Sequence, residues 1–332
     1  VSTAAPFLSL VVLSFKRFDT TTGPCLQTLA DAPSHPRVEL ILVDNNSDDG
    51  AAECCAEAAK RDSRIAFLPQ TKNLGFAGGM NAGVAASHGE WVCLVNSDTL
   101  FPQGALESLL ATLDAVPAKV AMVGPVTNAA GNGQRLPLPD VALDRVASIG
   151  EAAMRLPTRL ITPTYRSDFF CVAVRRNVWL QLNGLDPVFG LGYYEDFDFS
   201  LRLAKAGFDQ VIAEDVFIAH VGSATFSGMG SAQHELMRNN RKLIAARHPD
   251  IRFEHVRVGN AQALRHLIEH ARRSGWTTGL RERAAWRYAA MLWDEARSPF
   301  KRWRWRWHTR DIRLALVAAG IEPRFPTPPA NP

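Results

Sequence analysis

The sequence predicts an α/β chain in which a mainly parallel sheet is flanked by helices and followed by a helical C-terminal extension. Three observations predict it. Short β-branched or apolar runs alternate with Ala-, Leu- and Glu-rich helical stretches through the first half; the residues after each run are unusually polar; and beyond Gln233 the chain reads helical to about Arg297. Such alternation implies parallel strands with helices on both faces, and ligands then sit beyond the carboxyl ends of the strands.

The strand-like runs are "LSLVVLSF" (8–15), "VELILVD" (38–44), "RIAFLP" (64–69) and "EWVCLVN" (90–96), with helical stretches around 51–61, 77–87 and 103–115 between and after them. After the first run come Ser14, Lys16 and Arg17; after the second, "DNNSDDG"; after the third, "TKNLGFAGGMNAG"; after the fourth, "NSDT". Each alone is ordinary turn and cap chemistry. Four in succession along one sheet edge line a groove of amide and carboxylate groups that suits a ribonucleotide. From about 128 to 165 the periodicity is lost, with Gly131, Gly133, Pro137, Pro139, Pro157 and Pro163 as breakers. Regularity returns with the strand-like "FFCVAVR" (169–175), the helical "RNVWLQLN" (176–183), the turn "GLDPVFG" (184–190) and the strand-like "VIAEDVFIAHVGS" (211–223). The expected organisation is one domain over 1–232, with a nucleotide-binding half at about 1–127 and a second half at about 128–232, then the extension over 233–332. In that extension Trp286, Ala290 and Trp293 form a packing stripe.

The composition bounds the function. A chain of 332 residues, 47% hydrophobic and 21% charged, can bury a substantial core. It has no apolar run long enough to span a membrane, which predicts a cytoplasmic protein, and its five unpatterned cysteines read as thiols. From Arg297 to Arg313 there are seven Lys or Arg and one acid, so this segment carries +6 of the net +4 and the remainder sums to −2. That balance argues against a nucleic-acid-binding main domain, which would carry its positive footprint across a folded face. Oligomerisation is left open by the sequence.

The segment "YYEDFDFSLRLAKAGF" (193–208) sets Glu195, Asp196 and Asp198 among aromatic rings where a helical pattern begins. The helix dipole favours acids in a first turn, so this feature alone does not establish a site. In order, "VDNNSDDG", "NLGFAGGMNAG", "LVNSDT", "GLDPVFGLGYYEDFDFSLRLAKAGF" and "HVGS" resemble the family 2 glycosyltransferases of GT-A fold, nearest to bacterial rhamnosyltransferase-like and galactofuranosyltransferase-like members. The likeness spans roughly residues 7–226 and does not reach the tail.

The resemblance implies an inverting transfer of one sugar from a nucleoside-diphosphate sugar, UDP- or dTDP-linked, to a hydroxyl of a glycan or lipid-linked glycan in cell-surface polysaccharide synthesis. It implies a divalent cofactor, Mn²⁺ or Mg²⁺, to stabilise the departing diphosphate. Asp98 matches the last acid of the family's metal-binding DxD element, whose first position is Asn96 here, and His220 matches a histidine that often helps to hold the metal; a histidine at a strand end also suits a structural role. Asp44 matches the acid that meets base and ribose, and a turn-initiating role stands beside that. Ser14, Asn73, Gly75, Asn81 and Asn96 complete the implied donor site. Asp196 matches the general base, Glu195 and Tyr194 the acceptor side. Asp198 caps the helix or pairs with Arg202 four residues on. Phe197 and Phe199 suit either sugar stacking or the core.

Processive members carry transmembrane helices and a QxxRW element, and neither occurs here, so the resemblance implies single transfer. Two competing readings are a nucleotidyltransferase, whose glycine-rich loop after the first strand is missing, and a catalytically silent nucleotide-sugar-binding or scaffold protein, for which Asn96 speaks and Asp98, Asp196 and His220 do not. The tail, "SPFKRWRWRWHTRDIRLALVAAG" (298–320), suits peripheral contact of 298–313 with an anionic bilayer face or packing on the protein. Strict alternation in "RWRWRW" is not an amphipathic-helix pattern.

Overall fold

The computed structural model describes residues 6–30, 35, 37–136, 138, 143–221, 230–293 and 298–326. Gly222 and Ser223 of "HVGS", Pro137, Pro139 and Arg297 lie outside them. The first half alternates β1 (Leu8–Ser14), α1 (Thr22–Thr28), β2 (Val38–Asp44), α2 (Ala51–Arg61), β3 (Ile65–Pro69), α3 (Gly75–Ala85), β4 (Trp91–Asn96), β5 (Thr99–Leu100) and α4 (Ala105–Ala115). Residues of β1 point alternately to the two sheet faces, as strand geometry requires. Leu8, Leu10 and Val12 pack with Cys25, Leu109 and Leu113, whereas Val11 and Leu13 pack with Ala77, Met80 and Val84 of α3.

The second half contributes β6 (Val120–Val126), α5 (Leu143–Met154), β7 (Ile161–Pro163), β8 (Cys171–Arg175), α6 (Arg176–Gln181), α7 (Glu195–Lys205), β9 (Asp209–Phe217) and β10 (Ala219–His220). The main sheet runs in the order β3-β2-β1-β4-β8-β6-β9-β7. Strands β1 to β4 are parallel, as is β6 to β9, while β8 is antiparallel to both its neighbours and β7 to β9. Strand β6 is hidden in the sequence because "VAMVGPV" contains Gly124 and Pro125, which break a strand pattern. Its pairing with β8 accordingly stops at Val123. The aperiodic stretch 128–165 also yields α5 and β7, so only part of it is irregular.

The extension is α8 (Gly230–Arg247), α9 (Val256–Ser274), α10 (Thr278–Trp293), α11 (Pro299–His308) and α12 (Arg310–Ala318). It shares a core with the sheet: Val126, Ile212 and Phe217 pack in one cluster with Leu264, Leu267, Leu280, Met291 and Leu316. The expected boundary at 232/233 is thus crossed by continuous apolar packing. Within this seam Glu214 of β9, fully buried, meets Arg283 and Arg287 of α10, also buried. Arg287 Nη2 lies 2.5 Å from Glu214 Oε1, Arg283 Nη1 3.1 Å from Oε2, and Thr162 Oγ1 donates to Oε1 at 3.0 Å. Burial raises the proton affinity of Glu214, but the two guanidinium groups outweigh it and hold the carboxyl below its usual pKa.

The stripe on α10 is shorter than expected. Trp286 and Ala290 are buried, whereas Trp293 is exposed and meets Phe325 edge-on at 5.6 Å. The "RWRWRW" alternation does form a helix: at 100° per residue Trp303 and Trp307 share one exposed face and Trp305 turns inward. The five cysteines are free, and all but Cys54 are buried. No helix among the described residues is long and apolar enough to cross a membrane.

Candidate active site

The carboxyl ends of β1, β2 and β4 open onto two adjoining cavities. The smaller, about 130 Å³, is lined by Phe15, Asn45, Asn73, Gly75, Asn96 and Asp98, among others. The larger, about 530 Å³, is a cleft lined by Asn96, Asp98, Arg166, Asp168, Tyr193, Tyr194, Glu195, Asp196 and His220 with the surrounding aromatic and loop residues. Asn96 and Asp98 belong to both.

Asp98 and His220 are brought together by a small antiparallel ribbon in which His220 of β10 stands opposite Thr99 of β5, with Val221 N donating to the Asp98 carbonyl at 2.9 Å. Asn128 clamps the His220 backbone from both sides, donating to its carbonyl at 2.9 Å and accepting from its N–H at 2.8 Å. Phe170 stacks on the imidazole at 5.0 Å. Nδ1 donates to the Ala129 carbonyl at 2.9 Å, leaving Nε2 3.4 Å from Asp98 Oδ1. Burial disfavours the charged ring, yet the hydrogen bond and charge of Asp98 outweigh it and raise the histidine pKa.

A divalent cation fits between His220 Nε2 and the Asp98 carboxylate. Nδ1 is fixed by a carbonyl, the second-sphere arrangement usual for a metal-bound histidine. Buried Asn96 Oδ1 has no hydrogen-bond partner. Among the described residues no three His, Cys, Asp or Glu side chains converge into a full cage. The donors the described residues supply are fewer than the full set a hard cation takes, which leaves positions for ligands from outside the chain.

Opposite the ribbon, α7 begins at Glu195. Tyr193 and Tyr194 precede it with φ of 71° and 77°, a left-handed pair that bulky residues seldom adopt. Asn240 of α8 holds this turn: its Nδ2 lies 2.8, 2.9 and 3.0 Å from the carbonyls of Phe189, Gly192 and Tyr193. Glu195 is buried, its Oε2 has no partner, and burial together with the Asp196 charge raises its pKa to about 8. Asp196 is half-buried; burial and the Asp168 carboxylate raise it to about 6 against the opposing charge of Arg166. Arg166 donates to the Gly131 carbonyl at 2.7 Å and lies over Phe197 at 5.3 Å. Asp198 turns into the protein, where Arg202 Nε at 2.7 Å and His248 Nε2 at 3.0 Å bind it. Phe197 and Phe199 are core residues, packed on Tyr165, Phe253, Phe169 and Trp179.

Several expected donor residues lie elsewhere. Asn81 is fully engaged with Leu185, donating to its carbonyl at 2.7 Å and accepting from its N–H at 3.0 Å, so it ties α3 to the 184–190 turn rather than facing a ligand. Ser14 is buried against Thr22 Oγ1 at 2.8 Å, because its strand position points under the sheet edge; the adjacent Phe15 lines the cavity instead. Asp44 is 1% exposed and both its oxygens accept from Ser47, so the expected contact with a base is not open in this structure. Asn73 and Gly75 do line the cavity, and Asn45 of the "DNNSDDG" loop joins them by donating to Asn73 Oδ1 at 3.0 Å and to the Gly75 carbonyl at 3.1 Å. Gly75 has φ 68° and a Cβ there would collide with the Gly190 carbonyl, so only glycine lets the α3 start lie against the 190–192 loop. Arg166, Asp168 and Asn240 lie beyond the aperiodic stretch and carry no local signal in the sequence.

The model of glycosyl transferase family 2 matches residues 9–176, about half the chain. The chain belongs to that family. Among curated relatives, the glycosyltransferase GlyG of Streptococcus pneumoniae is 32% identical over 76 residues, covering 23% of this chain and 25% of that protein. The succinoglycan biosynthesis protein ExoO of Rhizobium meliloti is 29% identical over 117 residues, 35% of this chain and 32% of that one. The match thus spans a quarter to a third of these relatives' length. A mannosyltransferase from Pyrobaculum calidifontis, solved with GDP-Man and Mn²⁺, superposes with a TM-score of 0.50 at 17% identity over 98% of this chain and 78% of that one. At that identity the likeness concerns the fold, and it places this family 2 glycosyltransferase chain in the GT-A class.

Proposed function

We propose that the protein transfers a single sugar, with inversion, from a nucleoside-diphosphate sugar to a hydroxyl of a glycan or lipid-linked glycan in polysaccharide assembly. One observation carries the reading: Asp196 and the Asp98–His220 pair line the same cleft of about 530 Å³. Family membership, the succinoglycan role of one relative, and GDP-Man with Mn²⁺ in a structural neighbour support it. Asn45, Asn73 and Gly75 form the wall against which the nucleotide rests, and UDP- and dTDP-sugars are the first donors to test.

Asp98 and His220, with Asn96 beside them, would hold a Mn²⁺ or Mg²⁺ ion, whose charge stabilises the departing diphosphate when bound. Asp196 accepts the proton of the acceptor hydroxyl as that oxygen bonds to the anomeric carbon and the bond to diphosphate breaks on the other face. Glu195, protonated near neutrality, donates a hydrogen bond that orients the acceptor. Tyr194 gives the acceptor a flat wall, and the closed aromatic floor beneath α7 excludes water from the base.

The protonation states give the test. Asp196 must be ionised, so kcat/KM falls as pH drops below about 6; Glu195 must be neutral, so it falls again above about 8. The two limbs belong to the coupled pair. A released-nucleotide assay over UDP-, dTDP- and GDP-sugars with Mn²⁺ is expected to show this bell, and Glu195→Gln is expected to lose the basic limb. A profile flat from pH 5 to 9 in the active enzyme contradicts both roles.

A further inference from the structure

Helix α11 presents a stripe that the proposed reaction does not use. Phe300, Trp303 and Trp307, three and four residues apart, are 68%, 64% and 65% exposed, and Phe300 stacks on Trp303 at 6.2 Å. Exposed Lys301, Arg302, Arg304, Arg306 and Arg310 surround it, and no acid occurs from Pro299 to Arg310. The nearest acid, Asp311, is paired with Arg265 at 2.8 Å. The helix is firmly mounted: Trp305 packs into the shared core beneath Arg257, whose guanidinium is 5.3 Å from the ring, and Arg265 donates to the His308 carbonyl at 2.6 Å. Helix α12 adds exposed Leu314 and Val317.

We infer that this face docks on the surface of an anionic lipid bilayer. Indoles settle at the headgroup level, and basic side chains around them are attracted by anionic headgroups. The charge pattern selects this occupant. Self-association through a two-fold axis would press the basic patch against its own copy. A nucleic acid would ask for a broader positive footprint, whereas the chain outside 297–313 sums to −2, and exposed aliphatic Leu314 and Val317 offer nothing to bases. The mount is also continuous with the cleft: two residues beyond Arg257, Gly259 lies with its backbone against Gly133, and Gly131 of the same loop lines the cleft. The docking itself does not depend on the transferase reading.

Co-sedimentation of the full chain with vesicles tests it. Binding to equimolar phosphatidylcholine and phosphatidylglycerol is expected to exceed binding to pure phosphatidylcholine by about tenfold or more, and to weaken with salt. Trp303→Ser with Trp307→Ser, and separately Lys301→Glu with Arg304→Glu, are expected to lower that binding about tenfold at unchanged Tm and unchanged nucleotide release on a soluble acceptor. Equal pelleting with both vesicle types, or unchanged binding by both variants, overturns the proposal. So does a solution dimer that the double tryptophan variant dissociates, or retention on duplex DNA without vesicle binding.

Discussion

Asp196→Asn is expected to cut sugar transfer by about 10²–10⁴-fold while leaving donor affinity within about threefold. The substitution keeps the size and shape of the side chain and removes its negative charge and with it the capacity to take a proton. Asp196 sits where α7 begins, its Oδ1 accepting from the Phe197 N–H at 2.7 Å, an interaction the amide oxygen can keep. The cavity proposed for the donor lies on the Asn45 and Asn73 side, so nucleotide binding is not expected to feel the change. Released-nucleotide kinetics combined with thermal shift by UDP and Mn²⁺ separate the two effects. Unchanged turnover removes Asp196 from the mechanism; lost binding together with lost turnover makes it structural.

Arg287→Ala is expected to be the most damaging change outside the cleft, lowering stability by about 3–5 kcal/mol. It leaves the fully buried Glu214 carboxylate with one guanidinium where two were present, and it strands the Gly133 carbonyl that Arg287 Nη1 binds at 2.9 Å. The comparison with an exposed pair is instructive. Arg265 and Asp311 are 44% and 60% exposed, and Arg265→Ala is expected to cost no more than about 1 kcal/mol. Urea midpoints of the two variants read the difference; equal midpoints would mean that Glu214 is neutralised some other way. We further propose that residues 1–232 do not form an independent unit, because removal of the extension takes both arginines from Glu214 and opens the core shared by Phe217 and Leu267.

The sequence was most informative where periodicity and turn chemistry agree. Strands β1 to β4 and helix α2 fall where their patterns place them, and the sheet edge they form is the edge that carries the cavities. The pairing of Asp98 with His220 was available only from the resemblance, because the link is a ribbon of two residues per strand, too short to leave a pattern. The excursion at 128–165 was illegible for a different reason. Its contributions are tertiary: Asn128 clamps the His220 backbone, 92 positions further on, and Arg166, just past its end, lies over Phe197 of α7. Side-chain direction also escapes a one-dimensional reading. Ser14 and Asn81 belong to the right elements but point to the wrong side, and the alternation in "RWRWRW", not an amphipathic-helix pattern on paper, sets Trp303 and Trp307 on one exposed face when wound at 3.6 residues per turn.

The central claim is that the leaving diphosphate and the catalytic base face each other across one cleft. The most direct measurement is the anomalous-scattering position of Mn²⁺ in crystals grown with a nucleoside diphosphate. The account predicts a single strong site bonded to Asp98 and His220, with the diphosphate between it and the Asn73 loop and the Asp196 carboxylate facing it across the open cleft. An ion bound elsewhere, or a diphosphate separated from Asp196 by protein, would contradict it.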